Sequence, residues 1–205
     1  MNPMDVRTLH LLVHPGCTLG YGDDTWPKER TKYEKVLADQ IDRARNMKDD
    51  ELMLLLLYTE DPNISDLKEE LKNENGRAWV RHVKSLREIL ARRLSVLYSL
   101  DIGKKSNADR VHQLLTRNGH VLDPSTLQLE IYGEYIGLCV EECGKCLRNL
   151  LSLQRRPIIR VPLCWSVCDR TPITAEIIRE RVIESDGDAE QMKNFDYDFE
   201  NRDEK

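Results

Sequence analysis

One short apolar segment constrains the fold of this chain more than any other feature: residues 52–57 read Leu-Met-Leu-Leu-Leu-Leu. The run is too short for a buried helix, and two aspartates precede it while an Asp-Pro pair follows shortly after it. A strand that is apolar at every position is buried on both faces, which is typical of a parallel sheet covered by helices. We therefore expect such a sheet between two layers of helices.

Strand and helix patterns alternate along the rest of the chain. Apolar residues at helical spacing separate the short apolar runs, an alternation that favours right-handed crossovers. The predicted fold is α/β, with a mainly parallel sheet of about five strands and helices on both faces in a three-layer, Rossmann-like arrangement. Residues 1–183 form a single domain in this prediction. The predicted strands are residues 9–13, 52–58, 94–100, 127–132 and 158–163, and the predicted helices are residues 31–47, 63–73, 79–92, 109–118, 136–153 and 174–182.

Charge and hydropathy exclude several classes of protein. The chain of 205 residues has 31 Lys and Arg against 36 Asp and Glu, a net charge of −5. A broadly basic surface is absent, so we expect no nucleic-acid partner. No apolar run approaches the roughly 20 residues that a membrane-spanning helix needs, and no secretion signal is visible, so we expect a cytoplasmic protein without membrane contact.

The acidic residues concentrate in residues 184–205, which hold nine acidic and three basic residues. A segment so charged and so poor in apolar residues buries too little surface to offset the entropy lost on ordering. We expect a mobile acidic tail here. Phe195, Tyr197 and Phe199 could anchor it through packing of alternate residues.

The six cysteines permit more than one interpretation. Cys139, Cys143 and Cys146 have a spacing similar to that of iron–sulfur ligands, and Cys164 with Cys168 could complete a zinc site. The same three cysteines also fall on one face of the predicted helix, where thiols behave as small apolar side chains. We favour this core interpretation and expect neither a metal nor a cofactor, while a thiolate metal or cluster protein remains an alternative.

Cys139 differs from the other two because it lies in the first turn of the predicted helix. A predicted buried strand leads into a turn bounded by Gly133 and Gly137, and Cys139 follows in the first turn of the helix. A helix N-terminus lowers the pKa of a thiol, and its free N–H groups can stabilise an oxyanion. This position suits Cys139 to nucleophilic chemistry better than Cys143 or Cys146, and a buried core thiol is the alternative for Cys139 as well.

The order of these segments resembles the isochorismatase-like cysteine hydrolase superfamily. The resemblance covers residues 8–166 and rests on the opening strand at residues 11–19, the Gly-to-Cys turn at residues 133–140, and the strand that ends at residues 162–166. Lys105 follows a predicted strand and precedes Cys139 by 34 residues, about the family's spacing between its catalytic lysine and cysteine. The resemblance implies the family's three-layer fold and self-association into a homo-oligomer.

The resemblance also implies a catalytic set of Cys139 as nucleophile and Lys105 as the lysine that lowers the thiol pKa. The family's general base is an aspartate, and His14 occupies that position here. The sequence therefore predicts a divergent cysteine hydrolase that acts on a small amide or related small molecule, with His14 as the proton acceptor. Because the aspartate is missing, a non-catalytic binding or oligomerisation module with the same fold is the alternative. The metal-binding histidines of some family members have no counterpart.

Overall fold

Eight strands and five helices alternate along the part of the chain that the computed structural model describes, residues 4–15, 30–57, 74–98, 103–166, 173–184 and 189–200. The predicted helix at residues 63–73 lies outside these ranges. The helices are α1 (Arg30–Arg45), α2 (Glu74–Leu90), α3 (Lys105–Arg117), α4 (Cys139–Leu150) and α5 (Ala175–Glu184), with short 3-10 helices at Ala91–Arg93 and Ala189–Asn194. The strands are β1 (Met4–Asp5), β2 (Thr8–Val13), β3 (Glu51–Leu57), β4 (Leu94–Tyr98), β5 (His120–Val121), β6 (Gln128–Glu134), β7 (Ile158–Trp165) and β8 (Asp196–Asp198).

Six strands form one parallel sheet in the order β4-β3-β2-β6-β7-β8, and β1 pairs with β5 in a separate two-stranded sheet. Renumbered along the chain, the six strands follow the order 3-2-1-4-5-6 of doubly wound α/β proteins. The predicted α/β fold with a mainly parallel, helix-flanked sheet is therefore confirmed. Every residue of β3 is buried, as its uninterrupted apolar run predicts.

Helices α1 and α4 lie on opposite faces of the sheet. Arg43 of α1 contacts His10 of β2, with 3.2 Å between Arg43 Nη2 and His10 Nε2. His10 pairs in register with Glu130, and the side chain of the next residue, Ile131, points to the other face. There Gly144 lets α4 approach closely, because an added Cβ would lie 2.2 Å from Ile131 Cδ1.

The segment expected to be a mobile acidic tail contributes the sixth strand, which corrects that expectation for residues 189–200. Phe195 is buried in the core, and β8 adds to the edge of the sheet beside β7. The acidic side chains have basic partners: Arg156 Nη1 donates to Asp196 Oδ1 at 2.9 Å, and Arg160 pairs with Asp198. Asp196 and Asp198 thus have basic partners, and burial of the Phe195 ring contributes free energy against the entropy of ordering.

Arg160 also joins β7 to β6. Its Nη2 and Nε donate to the two carboxylate oxygens of Glu130 at 2.6 and 3.0 Å, a bidentate ion pair. Since the same guanidinium pairs with Asp198, one side chain links three adjacent strands. Among the helices that the structure describes, none is both long and apolar enough to cross a bilayer.

Candidate functional site

The sheet reverses its direction of winding between β2 and β6. From β2 the chain proceeds outward through β3 and β4, and from β6 it proceeds outward in the other direction through β7 and β8. In doubly wound sheets, ligands bind outside the carboxyl ends of the strands at this switch point. His14 directly follows β2, and the turn that leads to Cys139 follows β6, so two of the three predicted site residues flank the switch point.

Gly133 brings the backbones of these two strands into close contact. It pairs in register with Val13 and has a φ of +120°, a conformation that L side chains rarely adopt. A Cβ at this position would lie 2.1 Å from the carbonyl oxygen of Val13. Only glycine fits here, so the glycine of the predicted turn serves the packing of β6 against β2.

His14 is buried at the end of β2 in a strained backbone conformation. Its φ is +45°, and the residue is only 4% exposed. Its backbone N–H donates a hydrogen bond to Leu56 O at 2.8 Å. Burial lowers the pKa of its imidazole to about 4. At neutral pH the ring is therefore uncharged and able to accept a proton.

Cys139 is the first residue of α4 and is half-buried. Burial raises the pKa of its thiol, the carboxylates of Glu142 and Glu141 raise it further, and a hydrogen bond with the Tyr135 backbone opposes them. The expectation that the helix N-terminus gives a lowered pKa is therefore wrong. Desolvation outweighs the helix end, and the first turn of α4 itself contains two acidic residues, Glu141 and Glu142.

Lys105 is the first residue of α3 and is exposed. It follows β4, and β3 and β2 separate that strand from β6 in the sheet. Neither the Lys105 ammonium nor the His14 imidazole is among the groups that shift the pKa of the Cys139 thiol. In the part of the chain that the structure describes, the three residues thus share one edge of the sheet without the electrostatic coupling that the resemblance implies, and the role of Lys105 stays a prediction.

A buried polar cluster at the same edge was not predicted from the sequence. Glu134, the last residue of β6, is fully buried, and Tyr33 Oη of α1 donates to its Oε1 at 2.6 Å. Trp165, paired in register with Glu134, packs edge-on against the Tyr33 ring at 5.0 Å between centroids. The predicted strand ends at residue 132, so the sequence pattern did not mark Glu134 as a strand residue, and Tyr33 lies among apolar residues at helical spacing.

Two of the other described cysteines behave as core thiols. Cys143 and Cys164 are buried, and burial raises the pKa of both well above the usual range; Cys146 is half-buried. Across the described ranges, no three His, Cys, Asp or Glu side chains are grouped in a way that could hold a metal ion. Cys17 and Cys168 lie outside those ranges.

The peptide bond between Glu134 and Tyr135 is cis, and the turn after it is tied to neighbouring elements. Ile136 N donates to Trp165 O at 3.0 Å, and Val140 N donates to Tyr135 O at 3.3 Å. Backbone hydrogen bonds thus connect the turn before Cys139 both to β7 and to α4.

Comparison with known proteins finds no matching family model, no matching curated protein and no matching solved structure.

Proposed function

We propose that this protein is a divergent, isochorismatase-like cysteine hydrolase that acts on a small amide or related small molecule, with Cys139 as nucleophile. One observation supports the proposal most: residues on both sides of the switch point, His14 after β2 and Cys139 after β6, belong to the edge of the sheet where doubly wound proteins bind ligands. The proposal includes Lys105 as a catalytic residue, and a cytoplasmic homo-oligomer that acts without nucleic acid or membrane.

The electrostatics of the two residues suggest how the reaction starts. The raised pKa of Cys139 means that the resting nucleophile is a thiol, so a base must take its proton as it attacks. The neutral His14 imidazole is the candidate base. The sulfur would add to the amide carbonyl carbon, and the C–N bond would break as the imidazolium returns the proton to the departing amine. Water would then hydrolyse the thioester, releasing the acid and restoring the thiol.

An imidazole differs from the family's carboxylate in the charge it carries after accepting a proton. Protonated His14 would be a cation in a buried site whose desolvation already lowers its pKa to about 4. The proton transfer is therefore unfavourable, and we expect slow turnover in the wild type. In His14→Asp the base becomes neutral on protonation, and aspartate tolerates the left-handed backbone at this position. We expect this variant to be faster.

The test is turnover of a panel of small primary amides by wild type, Cys139→Ala, Cys146→Ala and His14→Asp. Cys146 is the matched control, because it is a half-buried cysteine on the same helix. We expect activity to disappear in Cys139→Ala, to persist in Cys146→Ala and to increase in His14→Asp. Wild-type activity that survives Cys139→Ala would end the hydrolase proposal.

A second candidate, a non-catalytic binding or oligomerisation module, is favoured by the unactivated thiol. Burial and two carboxylates hold the pKa of Cys139 up, and Lys105 is not among the groups that lower it. A module predicts no turnover in any variant and alkylation of Cys146 by iodoacetamide before Cys139. A hydrolase predicts faster alkylation of Cys139, because its base assists loss of the thiol proton.

A further inference from the structure

One buried carboxylate connects strand β8 to the turn that precedes Cys139. Glu141, in the first turn of α4, is only 8% exposed. Its Oε2 accepts a hydrogen bond from Gly137 N at 2.8 Å, and its Oε1 accepts one from Tyr197 Oη of β8 at 3.2 Å. The two oxygens therefore contact elements that are far apart in the sequence, the turn before α4 and strand β8.

Helix α5 packs against the turn that contains Gly137. Gly137 has a φ of +82°, and a Cβ on it would lie 2.4 Å from Arg181 Cβ. The turn thus packs directly on α5, while Glu141 holds its N–H from within α4. The turn is therefore held by α5 on one side and by the Glu141 carboxylate on the other. Since Cys139 directly follows this turn, its position depends on the orientation of Glu141.

The charge of Glu141 also acts on the thiol two residues before it. Glu141 and Glu142 both raise the pKa of Cys139, after the larger effect of burial. Burial raises the pKa of Glu141 itself to about 7, while the hydrogen bonds from Gly137 and Tyr197 favour its charged form. The charge of Glu141 also raises the pKa of Cys143 on the same helix, of Cys164 in β7 and of Tyr197 in β8.

We infer that strand β8 is part of the Cys139 site, with Tyr197 as a positioning residue that holds the Glu141 carboxylate against Gly137 and keeps its negative charge beside the thiol. Any effect on turnover rests on the proposed hydrolase function. The contact itself is tested on the thiol alone, so an inactive protein would still answer the question.

The first experiment measures the pH dependence of iodoacetamide alkylation of Cys139 and Cys146 in the full chain, by mass spectrometry of their peptides. In Glu141→Gln, we expect Cys139 to react about threefold faster below its midpoint, with Cys146 unchanged. Glu142→Gln is the matched control, since Glu142 raises the pKa of both thiols and should accelerate both. Acceleration of both cysteines in Glu141→Gln, or of neither, would contradict the inference.

The second experiment tests the strand with Tyr197→Phe, which removes the hydroxyl and keeps the ring. Loss of the hydrogen bond favours the neutral form of Glu141, so Cys139 should react faster than in wild type, by a smaller factor than in Glu141→Gln. Asp196→Asn, which removes only an exposed ion pair of β8, should leave the profile unchanged. A wild-type Cys139 profile in Tyr197→Phe overturns the inference, even if Glu141→Gln fails to fold.

Discussion

The close approach of α4 to the sheet predicts that alanine at position 144 is unfavourable, although alanine favours helices. Alanine gains about 1 kcal/mol over glycine in a helix interior. At position 144, however, its Cβ would lie 2.2 Å from Ile131 Cδ1 and 3.2 Å from Phe195 Cε1. Ile131 is fully buried, and such overpacking typically costs 1–3 kcal/mol. We expect Gly144→Ala to lower the free energy of unfolding by about 1 kcal/mol.

Shortening the opposing side chain should remove this destabilisation or reverse its sign. Ile131→Val removes Cδ1 and costs about 0.5–1.5 kcal/mol alone. The nearest remaining atom of that side chain, Cγ1, is 3.6 Å from the alanine Cβ, an ordinary van der Waals distance. With valine at position 131, Gly144→Ala should therefore be neutral or stabilising by up to about 1 kcal/mol. The coupling between the two sites should then be about 1–2 kcal/mol, within the range for contacting residues.

Urea unfolding of the wild type, both single variants and the double variant measures this coupling, provided that the m-value stays constant. Gly103→Ala serves as the control, because a Cβ there meets no atom within 4 Å. Equal destabilisation by Gly144→Ala in both backgrounds would refute the reasoning, since the clash would then not involve Ile131 Cδ1.

Two further predictions concern the sheet and pH. Gly133→Ala should destabilise the protein by more than about 3 kcal/mol and abolish its cooperative urea transition, because the Cβ would overlap the Val13 carbonyl and cannot move away from backbone. Burial lowers the pKa of His82 to about 4, so the unfolded chain binds more protons than the native one between pH 6.5 and 4. The free energy of unfolding should fall as the pH drops through this window, by roughly 3 kcal/mol for this residue, and His82→Gln should reduce the slope in urea titrations at stepped pH. An unchanged slope in that variant would show that His82 does not contribute to the pH dependence.

Strands whose side chains are apolar could be predicted from the sequence. Strand residues that need a hydrogen-bond or ion-pair partner elsewhere in the chain could not. Residues 52–57 identify β3 because every position is apolar, and the observed strand begins only one residue earlier. In contrast, β6 was expected to end at residue 132, yet it continues through Gly133 and Glu134. The extension depends on the Tyr33 hydroxyl, which satisfies the buried carboxylate from a helix about a hundred residues earlier.

The same limit applies to β8 and to the candidate site. Acidic composition indicates a mobile segment only if its charges lack partners, and the Arg160 that pairs with Asp198 lies 38 residues earlier in the chain. At Cys139 the helix N-terminus was visible in the sequence, but the depth of burial was not. Because desolvation is the larger effect, the direction of the thiol pKa shift could be obtained only from the tertiary structure.

The contact between Tyr197 and Glu141 also sets an order of events during synthesis. The two residues are 56 positions apart, and β8 is the last strand to be translated. At 5–20 residues per second, the ribosome adds Tyr197 roughly 3–11 s after Glu141. Over that interval, α4 and the turn before it can already pack on β6, while Glu141 Oε1 still lacks the hydrogen bond from the Tyr197 hydroxyl. The nascent chain therefore passes through a stage in which Cys139 has been made but the strand that holds its neighbouring carboxylate has not.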